Sequence, residues 1–173
     1  MGQALPAAGG ADDPGAAQGP PQAVHRAATM RVVEVASVEV ELPSAFPVVT
    51  LREVEPPFRA LAIPIGMPEG IALAQARHKV PTPRPLTHEL FATVLQRYRI
   101  DVVDLRVVGR RAGTYLAELD LVGPPGSEVV PCRPSDGMVL ALRAPVAAPI
   151  LVDERLFEEP GDVEPSLAGR TRS

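Results

Sequence analysis

The chain has 173 residues, a length that suits one domain, with 46% hydrophobic residues, 22% charged residues and a formal net charge of −4. Aromatic residues make up only 3%, tryptophan is absent and Cys132 is the single cysteine, which excludes a base-stacking platform, a disulfide framework and a multi-cysteine zinc site. No apolar run approaches the roughly 18 residues of a membrane-spanning helix, and Asp12 and Asp13 fall where a signal peptide would be apolar, so a cytoplasmic protein without a membrane partner is expected.

Residues 1–29 draw 18 positions from Gly, Pro and Ala and show no periodicity. Such a segment buries too little apolar surface to offset the entropy of ordering it, and it is expected to be a disordered extension. Patterned sequence starts at Met30. Val32–Glu41 alternates and is β-branched, predicting a strand. Val48–Val54 and Ala60–Ile65 predict two more strands flanking a Pro56-Pro57 turn. Pro68–Arg77 predicts a short helix with proline at its start, where a missing N–H costs nothing. Thr87–Arg99 predicts the best helix, with Leu90, Phe91, Val94, Leu95 and Tyr98 on one face. Strands follow near Asp101–Val108, Thr114–Val122 and Glu128–Cys132, then a helix at Ser135–Arg143, a short strand at Ile150–Val152 and a helical turn at Asp153–Glu159. The folded domain is expected over residues 30–159, with 160–173 a disordered tail.

At an offset of 67 residues the chain matches itself without a gap. Pro64 through Ala74 falls on Pro131 through Ala141, and the hairpin-like run from Val48 to Ile63 falls on Tyr115 to Val130. The expected fold class is therefore α+β, a mixed and mostly antiparallel sheet with packed helices, built from two pseudo-equivalent βββα units.

Two runs can carry chemistry. In Arg84-Pro85-Leu86-Thr87-His88 and in Arg133-Pro134-Ser135-Asp136, an Arg-Pro pair precedes a hydroxyl residue where a helix should begin. Thr87 and Ser135 can be N-caps, with the prolines fixing the entering chain. Alternatively, a helix N-terminus beside an arginine is a phosphate site, which makes Arg84, Thr87, Arg133 and Ser135 candidate phosphate ligands. His88 can act as a general acid or base, or can be an ordinary surface histidine. Glu69 and Asp136 are equivalent in the repeat. Brought together they can share Mg²⁺ or Mn²⁺; kept apart, each complements its helix dipole. Cys132 reads as a buried thiol. Residues 77–111 carry eight positive and three negative side chains, a basic stretch that can face a phosphate backbone or simply be solvated.

The runs Ala62-Ile63-Pro64-Ile65-Gly66-Met67-Pro68-Glu69-Gly70, Arg84-Pro85-Leu86-Thr87-His88-Glu89-Leu90 and Arg133-Pro134-Ser135-Asp136-Gly137, with Leu140-Ala141-Leu142-Arg143, resemble the bifunctional nuclease family. The resemblance spans roughly Met30 to Glu159. It implies hydrolysis of phosphodiester bonds in DNA or RNA; the candidate catalytic residues, His88, Asp136 and Glu69, come from the residue chemistry above and not from the resemblance. Two departures stand out. The family's usual Ala after the motif acid is replaced by Gly70 and Gly137, and an Asp common two residues before the position of Arg133 is Pro131 here. A non-catalytic oligomeric binding or regulatory domain is the alternative. In either case β-branched strands predict a homo-oligomer built from dimers.

Overall fold

The computed structural model describes residues 29–40, 45–158 and 161–165. Its elements run β1 (Met30–Val40), β2 (Pro47–Glu53), β3 (Ala60–Pro64), α1 (Met67–Arg77), α2 (Thr87–Arg97), β4 (Asp101–Arg111), β5 (Thr114–Gly123), β6 (Gly126–Cys132), α3 (Pro134–Arg143), β7 (Ile150–Asp153) and α4 (Arg155–Glu158). The seven strands form one sheet in the order β3-β2-β1-β7-β4-β5-β6. Every neighbouring pair is antiparallel except β4 and β7. The fold is thus α+β with a mixed, mostly antiparallel sheet. The disordered extension expected at 1–29 lies, apart from Thr29, outside the described residues.

Alternation in the strands decides which face is covered. Val33 and Val35, Val49 and Leu51, Leu61 and Ile63, Leu105 and Val107, and Ala117 and Leu119 all point into one aliphatic core. α1 packs on β1 and β2, α3 packs on β4 and β5, and α2 rides on α3. α3 is the most deeply buried helix, with Pro134, Ser135 and Gly137 through Ala141 all in the interior. Its close approach explains Gly137: a Cβ there would collide with the end of Leu105 and lie 3.1 Å from the Cys132 sulfur. Gly70 is constrained in the same way, since its Cβ would come 2.7 Å from the Pro47 ring. The β4–β5 hairpin turns through Ala112 and Gly113, both at positive φ, as a two-residue hairpin of the primed type requires.

Three expectations are corrected. The helical face of Leu90, Phe91, Val94, Leu95 and Tyr98 is not buried as a unit. Only Leu95 of these is interior, and Tyr98 is 69% exposed. α2 leans on α3 through Ala92 and Leu95 and leaves its other apolar side open. Ordered chain also continues past residue 159, because Val163 pairs with Arg110 and is fully buried. Third, the gapless correspondence of the two units fails in register. Val48 faces Pro64, so Tyr115 should face Pro131, yet Glu118 does. The cause is turn length: β2 and β3 are joined by six residues, β5 and β6 by Pro124-Pro125 alone.

Candidate functional site

Three helices begin with the same device, an acid at the third position. α1 starts after Gly66 with Glu69 there, α2 after Leu86 with Glu89, and α3 after Arg133 with Asp136. Free N–H groups in a first turn favour negative charge, so each acid is locally at ease. Leu86 has no side-chain acceptor, so only the return half of a capping box forms there, the Leu86 N–H donating to Glu89 Oε2 at 2.8 Å. Thr87 and Ser135 are not N-caps. They sit one and two residues inside their helices, and the Ser135 side chain is buried.

The first turns of these helices meet around Arg133. Its Nε donates to Asp136 Oδ2 at 2.7 Å and its Nη2 to Asp136 Oδ1 at 3.1 Å. Its Nη1 pairs with Glu69 Oε1 at 2.9 Å. From α2, His88 Nε2 lies 3.0 Å from Asp136 Oδ1. An ionised carboxylate only accepts, so Nε2 is the donor here and Nδ1 is the nitrogen that holds the lone pair whenever the ring is neutral. Burial alone would raise the Asp136 carboxyl, but the hydrogen bonds from Arg133 and His88 outweigh it and hold the group below the usual carboxylate range. The hydrogen bonds to Asp136, with Glu69 beside them, raise the Arg133 guanidinium above its ordinary value. Gly66 makes room for the arrangement, since a Cβ there would collide with Glu69 Oε2.

Glu69, His88, Arg133 and Asp136, all expected from the sequence, are therefore brought into one cluster. Arg84 is left outside it. Its carbonyl accepts from Thr82, and its side chain makes no ion pair among the described residues. The Thr87 side chain makes no hydrogen bond among the described residues either.

The two carboxylates converge, but on the Arg133 guanidinium, which takes the place of a cation between them and engages three of their four oxygens. Among the described residues no group of three His, Cys, Asp or Glu side chains is arranged to hold a metal, so a cation at the two carboxylates would need Arg133 to move aside and waters or substrate oxygens to complete about six ligands.

The Cys132 thiol is half-buried, and burial with Asp136 nearby pushes it up to about 11, so it is not a reactive thiolate. Sequence reasoning missed a second ion pair on the same helices, Glu89 Oε1 with Arg143 Nη1 at 2.8 Å. Its one signal was the acid in the first turn of α2. Thr82 and the Leu86 N–H, with Arg143, keep Glu89 below the usual carboxylate range. No helix among the described residues is long and apolar enough to cross a membrane.

A family model for the bifunctional nuclease domain matches residues 49–164, which takes in both hairpins, the three helices and all four residues of the cluster. An uncharacterized protein of Mycobacterium tuberculosis, found in two strains, is 36% identical over 132 residues, covering 76% of this chain and 77% of its own.

Proposed function

The chain belongs to the bifunctional nuclease domain family, and from that premise we propose that it is a nuclease-like protein acting on the phosphodiester bonds of DNA or RNA through the Arg133 cluster. The observation that carries the reading is the convergence of His88, Asp136, Arg133 and Glu69 from three helices on a surface where Arg133 is 65% exposed. Three of the guanidinium's five N–H donors are spent on carboxylates, leaving two to meet a phosphoryl oxygen. His88 Nδ1 is the nitrogen free to take a proton from the attacking hydroxyl or water, and Asp136 orients the ring and steadies the imidazolium that forms. Glu69 holds the other side of Arg133. Two carboxylates outweigh one arginine, so the cluster does not itself attract a polyanion.

The test is cleavage of supercoiled plasmid and labelled RNA by highly purified protein, with wild type, His88→Ala and Arg133→Ala side by side. Loss of cleavage in both variants with unchanged melting supports the reading. A wild type that cleaves nothing, or variants at full rate, overturns it.

The open apolar side of α2 supports the second reading, a non-catalytic oligomeric binding domain: Leu90, Phe91, Val94 and Tyr98 all face solvent. Under this reading the chain forms dimers, light scattering finds them at micromolar concentration, and Phe91→Glu reduces them to monomers. The two-unit origin also stays a proposal. It is supported by α1 and α3 beginning 67 residues apart, each packed on its own hairpin sheet on either side of β7.

A further inference from the structure

A cleft of about 510 Å³ opens between the end of α1, the 80–85 loop, one side of α2 and the end of α3. That is the size range of small-molecule sites. Its walls are apolar at Val80, Pro81, Pro85, Ala92 and Leu142. Its charged lining is Lys79, Arg143 and Glu89, so two cations face one anion, the reverse of the Arg133 cluster.

The groups in the cleft differ in what they have left to offer. Glu89 is fixed by Arg143, Thr82 and the Leu86 N–H. Lys79 forms no ion pair among the described residues, and the Gln96 amide forms no hydrogen bond there. Arg84 is also unpaired among them and lies in the same loop, between the lining residues Thr82 and Pro85. An unspent ammonium, an added guanidinium in its loop, an amide offering both donor and acceptor, and an apolar wall together match one kind of ligand. It carries a phosphate at one end and a heterocyclic ring at the other.

We propose that this cleft binds a mononucleotide-sized organic phosphate, its phosphate drawn to Lys79 and its ring seated on the apolar wall with a polar edge at Gln96. The site is distinct from the Arg133 cluster and does not require that cluster to cleave anything. A free nucleotide and the phosphorylated end of a strand share this chemistry.

The experiment is calorimetric titration of the full chain with adenosine monophosphate, inorganic phosphate, adenosine and a 5′-phosphorylated oligonucleotide. The nucleotide is expected to bind at least about tenfold more tightly than phosphate or adenosine alone, the margin of one good contact. Lys79→Glu should weaken it by at least about tenfold. Thr93→Trp should abolish binding without lowering the melting temperature, because Thr93 is an exposed lining residue whose only hydrogen bond stays within α2. Competition by the oligonucleotide assigns the site to a strand end, and its absence assigns it to a free nucleotide. No nucleotide binding at millimolar concentration, affinity equal to that of inorganic phosphate, or binding that survives Thr93→Trp would overturn the proposal. Cleavage is not the readout, so an inactive protein still tests it.

Discussion

Two clusters in this molecule use the same chemistry in opposite surroundings. At one end of the sheet, Glu53 is 1% exposed and accepts from Arg31 Nε at 2.9 Å, from Arg59 Nη2 at 2.8 Å and from the Arg59 backbone N–H at 2.8 Å. Arg59 reaches on to Glu154 and Glu158 and stacks over the Phe157 ring, tying α4 to β2 and β3. At the start of the helices, Arg133 joins two carboxylates just as closely but stands in water. A buried carboxylate must be fully paired or it destabilises the fold, whereas an exposed pair contributes little and its donors stay available. The first cluster is a fastening. The second is held together loosely enough to exchange partners with a ligand.

The largest expected effect separates the two by activity. His88→Ala should lower phosphodiester cleavage by about 10²–10⁴-fold, the usual worth of a positioned base; an unchanged rate would leave the open cluster with no chemical role. Next comes stability. Glu53→Ala takes from Arg31 and Arg59 their shared buried partner and should cost about 3 kcal/mol in a urea titration. A cost under about 1 kcal/mol would erase the distinction between the clusters.

Acid titration sharpens the same point. The Arg59 hydrogen bonds, against the opposing effect of burial, depress the Glu53 carboxyl from 4.5 to about 2. A depressed folded-state value means that this stabilisation is complete above pH 4.5 and is lost as the pH falls towards 2. Wild type and Glu53→Gln should therefore converge in stability over that window, as followed by circular dichroism. The smallest effect belongs to Arg133→Ala, which should change stability by less than about 1 kcal/mol while weakening oligonucleotide binding.

The strands were legible because period-two alternation with turn prolines leaves few alternatives, and the helices because Pro68 and Pro134 mark their first turns. The same alternation placed Glu53 in phase with Val49 and Leu51; a charged residue in a core phase was a signal of the buried cluster that went unread. The apolar side of α2 misled because periodicity tells that a helix is amphipathic without telling which neighbour it meets. α2 meets α3, not the sheet, and Ala92 and Leu95 suffice for that contact. The caps at Thr87 and Ser135 missed by one or two residues, because Leu86 and Arg133 take the capping positions with backbone alone. His88, Asp136, Arg133 and Glu69 were legible as residue types in motifs. That an arginine rather than a metal would stand between the carboxylates was not, since a guanidinium's reach depends on how three helices are set. The proposed nucleotide cleft left no motif, because its walls come from two stretches far apart in the chain, 76–96 and 142–144.

The position of β7 has a bearing on how the molecule is made. It is the middle strand of the sheet, yet the other six strands precede it in the chain. During synthesis the two three-stranded halves can each pair internally, but β1 and β4 wait as bare edges until Ile150–Asp153 emerges to bridge them, antiparallel to one and parallel to the other. A ribosome paused shortly before that point would hold a chain with two sticky templates for pairing with a neighbour. Truncation there removes the four residues of β7 and with them the strand pairing that joins the halves, leaving α1 on α3 as the contact between them.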